Sequence, residues 1–111
     1  MASGKGSVLW TYSRRRFKRV GTLARVSLCT AENPRNRFEG RILNCSRKGF
    51  YLETDADLEK GGFVSLTVEQ VYSETMKLPR KRELLGRVAW CRTLNDPFAF
   101  MYGYGIDLDE E

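Results

Sequence analysis

Val64, Leu66 and Val68 alternate with Ser65, Thr67 and Glu69, the period of a strand with one face in a core and the other in water. The same period recurs along most of the chain. Val26 and Leu28 oppose Arg25 and Ser27 within 22–29. Phe38, Gly40 and Ile42 oppose Arg37, Glu39 and Arg41 within 37–43, and Phe50 and Leu52 oppose Tyr51 and Glu53. Leu84, Gly86, Val88 and Trp90 share one parity against Leu85, Arg87, Ala89 and Cys91, which predicts a strand apolar on both faces. Phe98, Phe100, Tyr102, Tyr104, Ile106 and Leu108 fall on one parity, predicting a strand, or a strand with a bulge at one of its glycines.

Turn chemistry separates these segments. Glu32-Asn33-Pro34-Arg35-Asn36 predicts a loop, Asp55-Ala56-Asp57 with Gly61-Gly62 ends the third strand, and Asn95-Asp96-Pro97 turns the chain again. Residues 71–82 have no clean period and predict an exposed connection around Pro79 or a short helical turn; Val8-Leu9-Trp10 predicts a short strand or a packing contact. No stretch of ten residues shows helical periodicity, so the fold is expected to be all-β, with about six antiparallel strands closed into a barrel that hides their edges. A length of 111 residues suits one domain. Residues 1–20 read as a flexible basic arm and 21–111 as the barrel.

Charge adds an asymmetry. Within a net charge of +5, residues 1–49 hold 12 Lys and Arg against two acids, a net of +10, and residues 50–111 hold seven against twelve, a net of −5. An anionic partner near the N-terminal half is implied. The chain has no histidine, the commonest general base and nucleophile activator, and no nucleophile–base constellation stands out, so an enzyme is not expected. Cys29, Cys45 and Cys91 are too widely spaced for paired zinc ligands and are expected to be reduced, mostly buried thiols. No apolar run approaches a membrane span or a signal peptide, which points to a cytoplasmic protein with no membrane partner.

Two short stretches carry the candidate chemistry. Ser13-Arg14-Arg15-Arg16-Phe17-Lys18-Arg19 groups five cations around one aromatic ring. A guanidinium donates two parallel hydrogen bonds to phosphate, or to O6 and N7 of guanine. Arg15 and Arg19 share a face in either a helical turn or an extended arm. Asn44-Cys45-Ser46-Arg47-Lys48-Gly49 offers an amide and a hydroxyl two positions apart, and a glycine that permits positive φ or the close approach of a ligand or backbone. Each also has a plainer reading, as a solvated basic arm and as an ordinary turn.

An RxxxR pattern at Arg15–Arg19, two strands, and an [DN]xSxxG pattern at Asn44–Gly49 together resemble the PilZ domain family. The resemblance extends through Gly86-Arg87-Val88-Ala89-Trp90 and Gly103-Tyr104-Gly105-Ile106-Asp107-Leu108, covering residues 13–108. It implies a six-stranded, Greek-key-like, split-barrel type of β-barrel that binds the bacterial second messenger cyclic di-GMP, with no other cofactor. Arg15 and Arg19 would grip phosphates and guanine, Arg14 would add a contact, Asn44 and Ser46 would read a guanine edge, and Gly49 would make room. Position 44 is Asn where many members have Asp, and the chain ends at Glu111 with little or no C-terminal helix expected. The function implied is a receptor or adaptor whose arm closes on the barrel and changes a surface for an effector protein. Two other classes stay open. One is a ligand-independent interaction module; the other is a small barrel that binds single-stranded nucleic acid through aromatics such as Tyr51, Tyr102 or Tyr104.

Overall fold

The computed structural model describes residues 21–72, 83–95 and 99–108. The strand or packing contact expected at Val8-Leu9-Trp10, the arm, and the connection beyond Tyr72 lie outside the described residues. Six strands follow one another: β1 (Ala24–Thr30), β2 (Asn33–Cys45), β3 (Gly49–Thr54), β4 (Phe63–Val71), β5 (Glu83–Thr93) and β6 (Tyr102–Leu108). All neighbours pair antiparallel, and the sheet closes in the order β1-β2-β3-β6-β5-β4. Two three-stranded meanders are thereby joined edge to edge, and residues 55–62 carry the chain from β3 across to β4. Among the described residues there is no helix, and so none long and apolar enough to cross a membrane.

The alternating apolar positions fill the interior. Ala24, Val26 and Leu28 of β1, Ile42 of β2, Phe50 and Leu52 of β3, and Val64, Leu66 and Val68 of β4 are all buried. Leu84 and Val88 of β5, Tyr104 and Ile106 of β6, and Ala56 and Leu58 from the β3–β4 connection complete the cluster. These are the faces that the period of two assigns to the core.

Four expectations are corrected. The loop expected at 32–36 is mostly strand: β2 starts at Asn33, and a two-residue turn at Ala31-Glu32 leads into it. The β1–β2 ladder slips between Leu28 and Thr30, so residues 34–37 stand opposite Cys29 alone, and Pro34 meets no demand for a ladder N–H there. Trp90 does not share the inward face of Leu84, Gly86 and Val88. The β5–β6 register shifts between Val88 and Trp90, and the extra residue Ala89 turns Trp90 outward, 47% exposed. That shift also places the irregularity of the last hairpin on β5 rather than at a β6 glycine, and β6 itself begins only at Tyr102. Of the three thiols only Cys29 is buried. Cys45 is half-buried, and Cys91 lies in the exposed end of β5, which pairs with β6 alone.

Tyr104 is the largest fully buried side chain among the described residues, and it ties the long connection to the core. Its hydroxyl donates to the Ala56 carbonyl at 2.6 Å and accepts from the Leu58 amide at 2.8 Å. Burial pushes this phenol up to about 12 from 10.0. The Tyr104→Phe variant leaves two buried backbone groups unsatisfied and is expected to cost about 1–3 kcal/mol, read from urea denaturation midpoints. The gap has a defined pH dependence. Below pH 10 the phenol is protonated in both folded and unfolded chains, so the gap stays constant. Between pH 10 and about 12 the unfolded chain loses the proton first, wild-type stability falls as pH rises, and the gap narrows. An equal gap at both ends of that window would show that the core does not hold the phenol neutral.

Candidate functional site

The site begins with a second bulge. Arg41 and Ile42 pair with Glu53 and Leu52, but Asn44 pairs with Tyr51, so Leu43 is the extra residue on β2. Parity alone sets Asn44 on the same inward face as Ile42. The bulge turns it outward, where it is exposed. The hairpin then closes through Ser46, whose amide donates to the Gly49 carbonyl at 2.8 Å and whose hydroxyl lies 3.5 Å from that oxygen. Gly49 is not a positive-φ glycine; among the described residues those are Gly21 and Gly61. Its role is close approach, because a Cβ there would overlap the Ile106 carbonyl oxygen. The Leu108 amide donates to the Lys48 carbonyl at 2.7 Å and fixes the turn against β6.

The two bulges bring four strands into one outward rung. Asn44 pairs with Tyr51, Tyr51 with Gly105, and Gly105 with Trp90. The rings of Tyr51 and Trp90 stack with centroids 5.8 Å apart and planes 19° from parallel. They lie on bare backbone: a Cβ at Gly105 would overlap the Trp90 indole nitrogen, and one at Gly103 the Tyr51 hydroxyl.

One rung further along, Arg41 of β2, Glu53 of β3 and Arg92 of β5 share the outer face with Gly103. Arg41 Nε and Nη2 each lie 2.9 Å from Glu53 Oε1, and Arg41 Nη1 donates to the Thr22 hydroxyl at 3.0 Å. The Tyr51 hydroxyl donates to Glu53 Oε2 at 3.0 Å and accepts from Arg92 Nη2 at 3.0 Å. The Arg92 guanidinium also sits over the Tyr51 ring, 5.2 Å from its centroid. Burial raises the Tyr51 phenol above its ordinary range; the Arg92 hydrogen bond opposes this and the Glu53 carboxylate adds to it. At neutral pH the hydroxyl therefore remains a donor to Glu53.

Beside the stacked rings is a concave site of about 260 Å³, lined by Asn44, Ser46, Lys48, Gly49, Trp90 and Asp107 among others. Three of the six residues singled out in the sequence, Asn44, Ser46 and Gly49, meet there. Arg14, Arg15 and Arg19 lie outside the described residues. The alternation pattern groups Trp90 with Leu84, Gly86 and Val88 in a strand apolar on both faces and so does not mark it as a site residue, and Tyr51 enters the sequence reading only as a possible nucleic-acid platform. The glycines at 103 and 105, each alternating with a tyrosine, are the signal that flat rings could lie there. Tyr104, grouped with the exposed aromatics in the nucleic-acid reading, is 1% exposed and belongs to the core.

The closed antiparallel barrel, with polar and aromatic side chains gathered on one patch of its outer wall, is a single domain of the all-β class. The sequence model of the PilZ domain matches residues 13–111, and the chain belongs to the PilZ domain family, whose members are cyclic di-GMP-binding and adaptor domains rather than enzymes. Comparison with curated proteins and with solved structures gives no match.

The aromatic wall is open to a direct test. In a Trp10→Phe background, which leaves Trp90 as the sole indole, Gly105→Ala is expected to push the ring off β6. The tryptophan emission should shift to the red, with a stability loss of about 1–3 kcal/mol from overpacking. Unchanged emission would mean that the indole does not rest on Gly105.

Proposed function

We propose that the chain is a non-enzymatic receptor for cyclic di-GMP. The observation that carries this reading is the convergence of Asn44, Ser46 and Gly49 beside the Tyr51–Trp90 stack in one concave site of a PilZ barrel. Asn44 and Ser46 offer an amide and a hydroxyl to a guanine edge, Trp90 offers an exposed ring face to the base, and Gly49 keeps the turn flat against β6.

The arginines supply the charge that the barrel wall lacks. Lys48 is the single cation among the described residues lining the site, whereas the ligand carries two phosphates. Arg15 and Arg19 grip phosphates and guanine, and Arg14 adds a contact. Their position in the chain supports this. Thr22 is tied through Arg41 and Glu53 to Tyr51, so the chain enters the barrel one rung from the site. From Thr22, at most about 10 Å of backbone leads to Arg19 and about 25 Å to Arg15. Gly21, at φ 82°, sits at that junction, a backbone conformation that other residues adopt only with strain. Ligand binding clamps residues 1–20 onto the barrel, and the altered surface is read by an effector protein in the cytoplasm.

Titration calorimetry on the full chain tests the reading. Cyclic di-GMP is expected to bind with saturable heat at ligand concentrations of about tens of micromolar or below, a free energy near −6 kcal/mol or stronger. Arg15→Ala and Arg19→Ala each remove a charge-assisted contact of about 1.5–3 kcal/mol, roughly ten- to a hundredfold in affinity. Wild-type protein without measurable heat, or both variants binding as wild type, would overturn the assignment.

A further inference from the structure

We propose that Asp107 is the residue that selects guanine, its carboxylate accepting both N1–H and the 2-amino group of a base seated beside Trp90. This deepens the cyclic di-GMP reading and rests on it. Asp107 is exposed on β6, where it pairs with Gly49 on one side and Arg87 on the other. It is the only carboxylate among the described residues lining the concave site, which it shares with Asn44 and Ser46. The missing side chain at Gly49 lets β3 press against the Ile106–Asp107 backbone, so the carboxylate stands beside the turn that carries the other polar groups.

The electrostatics leave this carboxylate unspent. Arg87 is its direct neighbour across the ladder, yet the Arg87 guanidinium lies over the Phe63 ring, 4.9 Å from the centroid. Among the described residues the Asp107 carboxylate has no hydrogen-bond or ion-pair partner. A free carboxylate beside a site for a doubly anionic ligand is unfavourable if it faces phosphate and favourable only if it faces donors. The Watson–Crick edge of guanine presents two adjacent donors, N1–H and N2–H, which match the two oxygens of one carboxylate. Adenine presents the N1 lone pair there and is repelled. Asn44, with one acceptor and one donor group, cannot make that distinction alone.

The test is a titration of the full chain, wild type and the Asp107→Asn and Asp107→Ala variants, with cyclic di-GMP, cyclic di-IMP, which lacks the 2-amino group, and cyclic di-AMP. Wild type is expected to prefer cyclic di-GMP over cyclic di-IMP by at least tenfold. The Asp107 variants should lose at least tenfold for cyclic di-GMP and bind it and cyclic di-IMP alike, whereas Arg15→Ala weakens both without altering their ratio. Unchanged or tighter cyclic di-GMP binding in the Asp107 variants would overturn the inference alone, the tighter result placing the carboxylate against phosphate. Wild-type protein that binds none of the three would overturn the receptor reading and this inference with it. Because Asp107 is exposed, both variants should keep the wild-type circular dichroism spectrum.

Discussion

The meeting of Tyr51 and Trp90 over the bare backbone of Gly103 and Gly105 is the contact on which the outer face depends. Neither ring could lie flat if β6 carried side chains at those positions. The rings would not face each other without the register shift at Ala89, which turns Trp90 out of the core, and the bulge at Leu43 likewise turns Asn44 outward beside them. Bulges are found where a regular ladder would point a side chain the wrong way. Here two of them, on the strands flanking the β3–β6 pair, bring residues from four strands into one rung.

Glu53 holds that arrangement in place. It is 7% exposed, and an isolated charge so deeply set would be strongly unfavourable. Both oxygens are occupied, Oε1 by Arg41 and Oε2 by the Tyr51 hydroxyl, while Arg92 closes the other side of the phenol. Such a network gains little stability over an apolar replacement but fixes orientation, and the orientation fixed is that of the Tyr51 ring over Gly103. One carboxylate between two guanidiniums also leaves this rung net positive, one step from the concave site. The same side chains that position the aromatic wall thus bias its surroundings toward an anion.

The six strands and their inward faces were legible because a period of two survives wherever a strand has one wet face, as in Val64–Glu69. The Asn44–Gly49 turn was legible through its residue types. The bulges were not, since one extra residue reverses parity without any mark in composition; parity alone therefore groups Trp90 with Leu84, Gly86 and Val88, from which the shift at Ala89 separates it. The buried Glu53–Arg41 pair was equally hidden, because alternation marks Glu53 simply as the wet side of β3. Pro34 read as a loop since proline and asparagine favour turns, yet residues 34–37 pair on neither side of the sheet and tolerate a missing donor within the strand.

The shape of the aromatic wall bears on the kind of ligand it suits. Proteins that track single-stranded nucleic acid present a succession of ring faces along a groove, one base to each. Here Tyr51 and Trp90 cover one another, Arg92 lies over the Tyr51 ring, Tyr104 is in the core, and the Tyr102 ring lies 6.1 Å from Tyr104 and packs against that core. The exposed face of Trp90 is the platform that remains beside the concave site. Among the described residues this one platform, flanked by an amide, a hydroxyl and a carboxylate, has the shape to meet one base at its edge. The arrangement of the described residues is thus consistent with the proposed cyclic dinucleotide, and it does not present the row of ring faces that a single strand would track.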